Sequence, residues 1–175
     1  MDDSLRYPIG PFTPSGGPLG PDTRAPLIER IRRLPARARA AAAGLDDAAL
    51  DTPYRQDGWT PRQILHHIAD SHVNSIVRFK LALTEDHPTV KPYAQARWAE
   101  LADSRLPTAP SLALLDGLHA RWVVLLESLS DDQWARTVEH PEIGSISLDF
   151  LLEMYAWHGD HHCTQVEHLR DRMGW

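Results

Sequence analysis

Apolar residues recur at helical spacing in four long stretches of the chain, and nowhere do they alternate long enough to make a convincing strand. The first stretch, Leu27 to Ala43, is rich in Ala, Arg and Leu. Pro35 interrupts it, which predicts a kink or break there, and Gly44 is a natural stop. The second marks its own start. Thr60 is a good N-cap, Pro61 stands in the first turn where its missing N–H costs nothing, and Gln63 completes a capping box. Ile64, Ile68, Ile76 and Phe79 carry this helix to about Thr84. Pro88 and Pro92 then enforce a loop, with a short helical piece expected over 94–102.

Ser111, after Pro107 and Pro110, is expected to cap a third helix, which bears Leu112, Leu115, Leu118, Trp122, Leu125 and Leu126 at helical spacing. Gly117 weakens it by roughly 1 kcal/mol relative to alanine. A loop over 137–147 contains Pro141 and Gly144. The last helix is expected from about Leu148 to Arg172, with Gly174 beyond its end. Four long helices without a strand or an internal repeat predict an all-α protein, a four-helix bundle over residues 27–175. The two longer interhelical segments argue against simple up-down-up-down order. Residues 1–26, with Pro8, Pro11, Pro14, Pro18, Pro21 and Pro26, cannot form a helix on this reading and predict an extended arm. Tyr7 and Phe12 give it aromatic groups with which to dock on the bundle.

Composition narrows the function classes. A chain of 175 residues, 42% hydrophobic and 24% charged, reads as one ordinary globular domain. A net charge of −6, with no Lys/Arg-rich run, disfavours nucleic acid as a partner. No apolar stretch is expected to reach the roughly 20 residues of a membrane helix, and Met1–Leu5 begins with acids rather than a basic signal region. A single cysteine cannot form an internal disulfide, so a cytoplasmic setting is expected. The outlying count is 10 histidines, clustered around 66–72 and 158–168.

Imidazole is the commonest protein metal ligand, so the histidines carry the candidate chemistry. On a wheel of about 100° per residue, Leu148, Leu151, Tyr155, Val166 and Leu169 mark the inward stripe of the last helix. His162 falls in its middle and His158 just inside its edge, an i, i+4 pair able to grip one ion. His161 and His168 fall outside the stripe, and Asp160 points away. Two core-edge histidines bonded to neighbours would give the same pattern. In the earlier helix, periodicity sends His66 to solvent and leaves His67 and His72 as equal candidates. Ser71, Asn74 and Arg78 form a polar stripe beside His67, which lines a wet cavity or simply marks the solvent boundary.

The run Trp59-Thr60-Pro61-Arg62-Gln63-Ile64-Leu65-His66-His67-Ile68-Ala69-Asp70 resembles the second-helix signature of the DinB/YfiT superfamily of metal-dependent proteins. Arg6-Tyr7-Pro8-Ile9-Gly10, the segment from Asp70 to Glu85, and Trp157-His158 with His161-His162 resemble its YfiT-type branch. The similarity spans nearly the whole chain. It implies a four-helix bundle, a homodimer, and a divalent-metal site of three histidines, at His67, His158 and His162. One departure is Asp160, where relatives tend to carry a basic residue or histidine.

Other residues carry weaker expectations. Cys163 lies about 100° from His162 and reads as a small buried hydrophobe. Asp70 and Asp149 are candidates to orient imidazoles. Tyr93, Trp98, Trp122 and Trp157 wall a pocket or anchor the core. Asn74 and Arg78 are the substrate-contact candidates, because they share a stripe with His67. His87, His119 and His140 have no partner pattern.

Three readings of function follow. One divalent ion per subunit, zinc or nickel first and manganese or iron also acceptable to imidazole, leaves a position for water and gives a metal-dependent hydrolase acting on a small molecule. No H-E-x-x-H glutamate is present, since Gly159 and Asp160 occupy those positions. The same site could hold a low-molecular-weight thiol of the bacillithiol or mycothiol kind as thiolate, an S-transferase that needs no base. A non-catalytic bundle with a structural metal is the third reading, and it fits poorly because closed zinc sites prefer four protein ligands.

Overall fold

The computed structural model describes residues 4–175, so the first three residues of the expected arm lie outside the described residues. Four long helices form the bundle: α1 (Pro21–Ala42), α2 (Pro61–Thr84), α3 (Ala109–Glu127) and α4 (Leu148–Met173). α1 packs on α3 and α4, and α2 packs on the same two, so α1 and α2 sit diagonally. Cross-helix pairs give the directions. Arg30–Asp160 and Arg37–Glu167 advance together, making α1 and α4 parallel. His66–Ser111 and His72–His119 make α2 and α3 parallel, while Arg78–Tyr155 and His67–His162 make α2 and α4 antiparallel. The order is therefore up-down-down-up, and the long connection from α2 to α3 is what joins two parallel neighbours.

Local chemistry sets the helix ends. The Thr60–Gln63 capping box is made in both directions, with the Gln63 N–H donating to Thr60 Oγ1 at 3.2 Å and the Thr60 N–H to Gln63 Oε1 at 3.0 Å. Ser147 Oγ accepts from the Phe150 N–H at 3.2 Å to start α4, and Gly174, at φ 73°, closes it in the left-handed region where only glycine is unstrained.

Four expectations are corrected here. α1 begins at Pro21 rather than Leu27 and runs unbroken through both Pro26 and Pro35. The packing of Ile28, Ile31, Leu34 and Ala38 holds the helix across the lost hydrogen bonds. α3 starts at Ala109 with Pro110 in its first turn, so Ser111 is not its cap. The segment 137–147 is a hairpin, β1 (Thr137–His140) paired antiparallel with β2 (Gly144–Ser147). Finally, the 19 residues of α3 are apolar enough on average to meet a membrane-span criterion of length and composition, against the expectation that no stretch would. Its Leu112, Leu115, Trp122, Val123 and Leu126 are buried in the bundle.

The core is divided. One apolar cluster gathers Ile31, Phe79, Trp122, Leu148, Leu151 and Tyr155, and a second gathers Leu34, Ile64, Ile68, Leu115, Cys163 and Val166. Along α2, α3 and α4, the residues falling between the two clusters are His72, His119 and His158. A layer of imidazoles crosses the bundle at mid-height.

Candidate metal centre

α2 supplies His67 and α4 supplies His158 and His162, and because these helices run antiparallel the three rings meet. Their centroids lie 4.6 to 5.1 Å apart, and one nitrogen from each lies within 4.8 Å of the others. His67 Nε2 and His158 Nε2 are 3.0 Å apart. Metal–imidazole bonds of about 2.0–2.1 Å in tetrahedral array place ligand nitrogens roughly 3.3 Å from one another, a separation this cluster brackets. Burial pushes His67 down to about 4 and holds His158 and His162 well below the usual imidazole value, so all three are neutral near pH 7 with lone pairs to offer. Nearby histidines add smaller shifts in the same direction.

Two of the three rings have their tautomers set by partners. The Gln165 amide donates to the Arg6 carbonyl at 3.0 Å and to His161 Nε2 at 3.1 Å. Its oxygen therefore faces His162 and accepts from Nδ1–H at 2.8 Å, which leaves His162 Nε2 unprotonated. For His158 the control comes from farther away. The Ile31 carbonyl can only accept, so His119 donates from Nδ1 at 2.6 Å. In a neutral ring His119 Nε2 then accepts from His72 Nδ1–H at 3.1 Å, and His72 Nε2 accepts from His158 Nδ1–H at 3.2 Å. His158 Nε2 is left as the bare nitrogen, facing His67. Burial, the largest influence on both, keeps His119 at about 4 and His72 well below the usual range, so the chain stays neutral.

Trp59, placed by the capping box that follows it, packs on His67 at 4.6 Å and on His162 at 6.1 Å. The cluster opens on a cleft of about 320 Å³ walled by Arg6, Tyr7, Tyr54, Trp59 and Trp157. The arm forms part of this wall. Trp157 Nε1 donates to the Gly10 carbonyl at 3.2 Å, Phe12 packs on Phe150 and Trp157, and Tyr7 lies 5.8 Å from His161. A second cleft of about 280 Å³ shares Gln95 and His158 with the first and is lined by Ser71, Arg78, Tyr93, His140 and Tyr155.

Some sequence expectations change and others hold. His66 is buried, with Nδ1 2.7 Å from Ser111 Oγ and Nε2 3.0 Å from the Leu106 carbonyl. His161 is buried too, stacked on Trp157 at 4.4 Å. His119, which had no partner pattern, belongs to the imidazole chain, and His140 lines the second cleft. Asp149 orients no imidazole; it is buried and binds Arg24 at 2.7 Å and the Leu19 N–H at 2.9 Å. Asp70 has a half-buried, upward-shifted carboxyl, chiefly from desolvation, and likewise bonds no imidazole. Asp160 is not simply outward but ties α4 to Arg30 and Arg37 of α1. Asn74 donates to the Asp70 carbonyl one turn back and lines neither cleft, whereas Arg78 does. Trp122 is core, and Trp98 packs on Tyr93 at 4.6 Å. Cys163 is fully buried, its thiol pushed up to about 12 by burial.

Comparison with known proteins adds four findings. The family model described as the DinB superfamily matches residues 30–166. A Bacillus cereus (strain B4264) protein named as a putative metal-dependent hydrolase is 50% identical over 175 residues, covering 100% of both chains. The solved structure of YfiT from Bacillus subtilis, described as a probable metal-dependent hydrolase with an unusual four-helix bundle topology, superposes with a TM-score of 0.95 at 43% identity, over 98% of this chain and 99% of that one. At 19% identity, a mycothiol-dependent maleylpyruvate isomerase shares the fold, with a TM-score of 0.66 over 82% of this chain and 60% of its own.

Proposed function

The chain belongs to the DinB superfamily, and from that premise we propose that it is a metal-dependent hydrolase of small molecules in which His67, His158 and His162 hold one divalent ion. The observation that carries this reading is the convergence of three buried or half-buried imidazoles, neutral near pH 7, on a cleft large enough for a small molecule. An ion held there by the three imidazoles would supply Lewis acidity and would lower the pKa of water toward ~7. Around it the protein's own residues have clear tasks. Gln165 and His72 keep the ligand nitrogens bare, Trp59 shields His67 from solvent, and Tyr7 with Trp157 walls the cleft. Zinc and nickel are the metals three imidazoles suit best, with manganese and iron next. Relatives named as metal-dependent hydrolases point the same way.

One observation favours S-transfer as a second reading. Among the described residues no carboxylate bonds any of the three imidazoles, and the acids lining the clefts, Asp57 and Glu142, are exposed. A thiol deprotonated at the site needs no such base. Its sulfur would form a bond to an electrophilic carbon while the leaving group departs with the bonding pair.

The test is metal content of the purified protein beside His67→Ala, His158→Ala and His162→Ala. Each variant should lose most of the bound ion, and full retention by all three would refute the reading. Ester or amide cleavage without thiol would support hydrolysis; conjugation of an alkylating electrophile only when a low-molecular-weight thiol is supplied would support transfer.

A further inference from the structure

Three arginines of this chain are buried, and they are treated differently. Arg24 holds both Asp149 and Asp131, at 2.7 Å each, and Arg62 holds Asp51 at 2.6 Å and Asp47 at 2.7 Å. Arg78, only 8% exposed, forms no ion pair among the described residues. Its guanidinium has two long contacts with uncharged oxygens, the Tyr155 hydroxyl at 3.3 Å and the Lys91 carbonyl at 3.5 Å. A guanidinium taken out of water without an anion is costly, and it cannot relieve the cost by losing its proton.

Arg78 lines the second cleft, and the groups beside it suit an anion. Tyr93, its hydroxyl pushed up to about 12 by burial, stays a donor at neutral pH. Tyr155 also stays protonated, because burial outweighs the opposing pull of Arg78. Ser71 adds a third hydroxyl, and His140, at the end of β1, also lines the cleft. Glu142 also lines this space, but it is solvent-exposed and makes no pair with Arg78. His158 lines this cleft too, its ring 5.8 Å from that of Tyr155 one turn away on the same helix. His158 and Gln95 are common to both clefts, so the space around Arg78 borders the three-histidine cluster.

We propose that Arg78 is the anchor for a carboxylate carried by the small-molecule substrate, with the Tyr93 and Tyr155 hydroxyls as its neutral companions. The planar guanidinium fork matches a carboxylate in two parallel hydrogen bonds, and the bound anion supplies the charge that the fold withholds. This rests on the metal-site reading only for what happens at the far end of the molecule; the anion site itself does not need the metal.

Succinate is the probe, titrated into the metal-loaded protein by calorimetry and followed by the rise in Tm. Wild type should bind it, and Arg78→Gln should weaken binding at least 10-fold and abolish the Tm rise. Arg78→Lys keeps the charge but not the fork and should weaken binding about 3-fold or more. It decides the matter if the glutamine variant does not fold. Without succinate, Arg78→Met should melt no lower than wild type, because the unpaired buried charge is gone. His67→Ala separates the two readings. If it loses the ion but still binds succinate through Arg78, the anion site stands whatever the fate of the metal reading. Binding that is lost in His67→Ala but unchanged in Arg78→Gln would place the carboxylate on the metal and overturn the proposal, as would no binding by wild type.

Discussion

His72 Nε2 lies 3.2 Å from His158 Nδ1, so a histidine outside the three-histidine cluster sets which nitrogen of a cluster histidine carries the proton. Partners of this kind orient the ligand ring and raise its basicity, and their loss typically costs 10–100-fold in metal affinity. His72→Leu should therefore weaken metal binding by about that factor while keeping the bundle folded. His72→Gln, whose side-chain oxygen can still accept from His158, should recover part of it. Nitrogen-15 NMR of the imidazoles gives a second readout: in wild type His158 should be protonated at Nδ1. Unchanged affinity in His72→Leu would reduce this histidine to a packing residue.

The chain of imidazoles ends on the Ile31 carbonyl, and Pro35 is the reason that carbonyl is available. In an uninterrupted helix the N–H of residue 35 would bond to it, but proline has none. His119 Nδ1 takes the place at 2.6 Å. Pro35→Ala should restore the helical bond and remove a ring clash, stabilising α1 by up to about 3 kcal/mol. The same change makes the carbonyl shared, so metal affinity should fall a few-fold. Urea midpoints and metal titration on the one variant would show opposite signs. A rise in both would break the link between Pro35 and the site.

Periodicity placed His158 and His162 together on an inward face, because burial in α4 follows its own wheel. It could not choose between His67 and His72, since both are buried and both serve the same cluster in different ways. The resemblance of the Trp59–Asp70 run chose His67. The burial of His66 and His161 does not follow from periodicity, because what covers them is distant in sequence: Leu106 and Ser111 over one, the arm's Tyr7 near the other. His119 was invisible for the same reason, its partners being 47 and 88 residues away. The β-hairpin escaped because strands of 4 residues are too short to establish a period. The helix start at Pro21 is not legible from the proline pattern, because proline breaks a helix interior while a first helical turn accepts one without loss.

Gly159 stands between His158 and Asp160 where α4 meets α1. A Cβ there would lie 2.6 Å from Leu34 Cδ2 and 3.2 Å from its Cγ. Leu34 is 3% exposed, so it has little room to turn. Gly159→Ala should gain helix propensity yet lose overall, by roughly 1–3 kcal/mol for the overpacked contact. Leu34→Ala in the same chain should make the alanine tolerable, so the double variant should be more stable than the sum of the two single losses. Additive losses in thermal melts would mean that this contact is not what the glycine protects.

The buried histidines also predict how stability depends on pH. Unfolded, each takes up a proton near 6.5; folded, burial holds His119 to about 4 and His72 well below the usual value. Below pH 6.5 the unfolded chain therefore binds more protons than the folded one, and stability falls with pH. The contribution is complete above 6.5 and is lost as pH drops toward 4, amounting to about 3 kcal/mol for His119 alone at about 1.4 kcal/mol per unit. In metal-stripped protein, urea midpoints should hold level from pH 7.5 to about 6.5 and then fall steadily toward pH 5. With metal present, release of the ion should begin in the same window, since protons and metal compete for the same nitrogens. His119→Asn keeps a donor for Ile31 but removes one titrating ring, so its slope should be shallower by up to one proton. A flat profile in the stripped wild type would mean that these rings take up protons without unfolding, and the neutral imidazole chain would have to be abandoned.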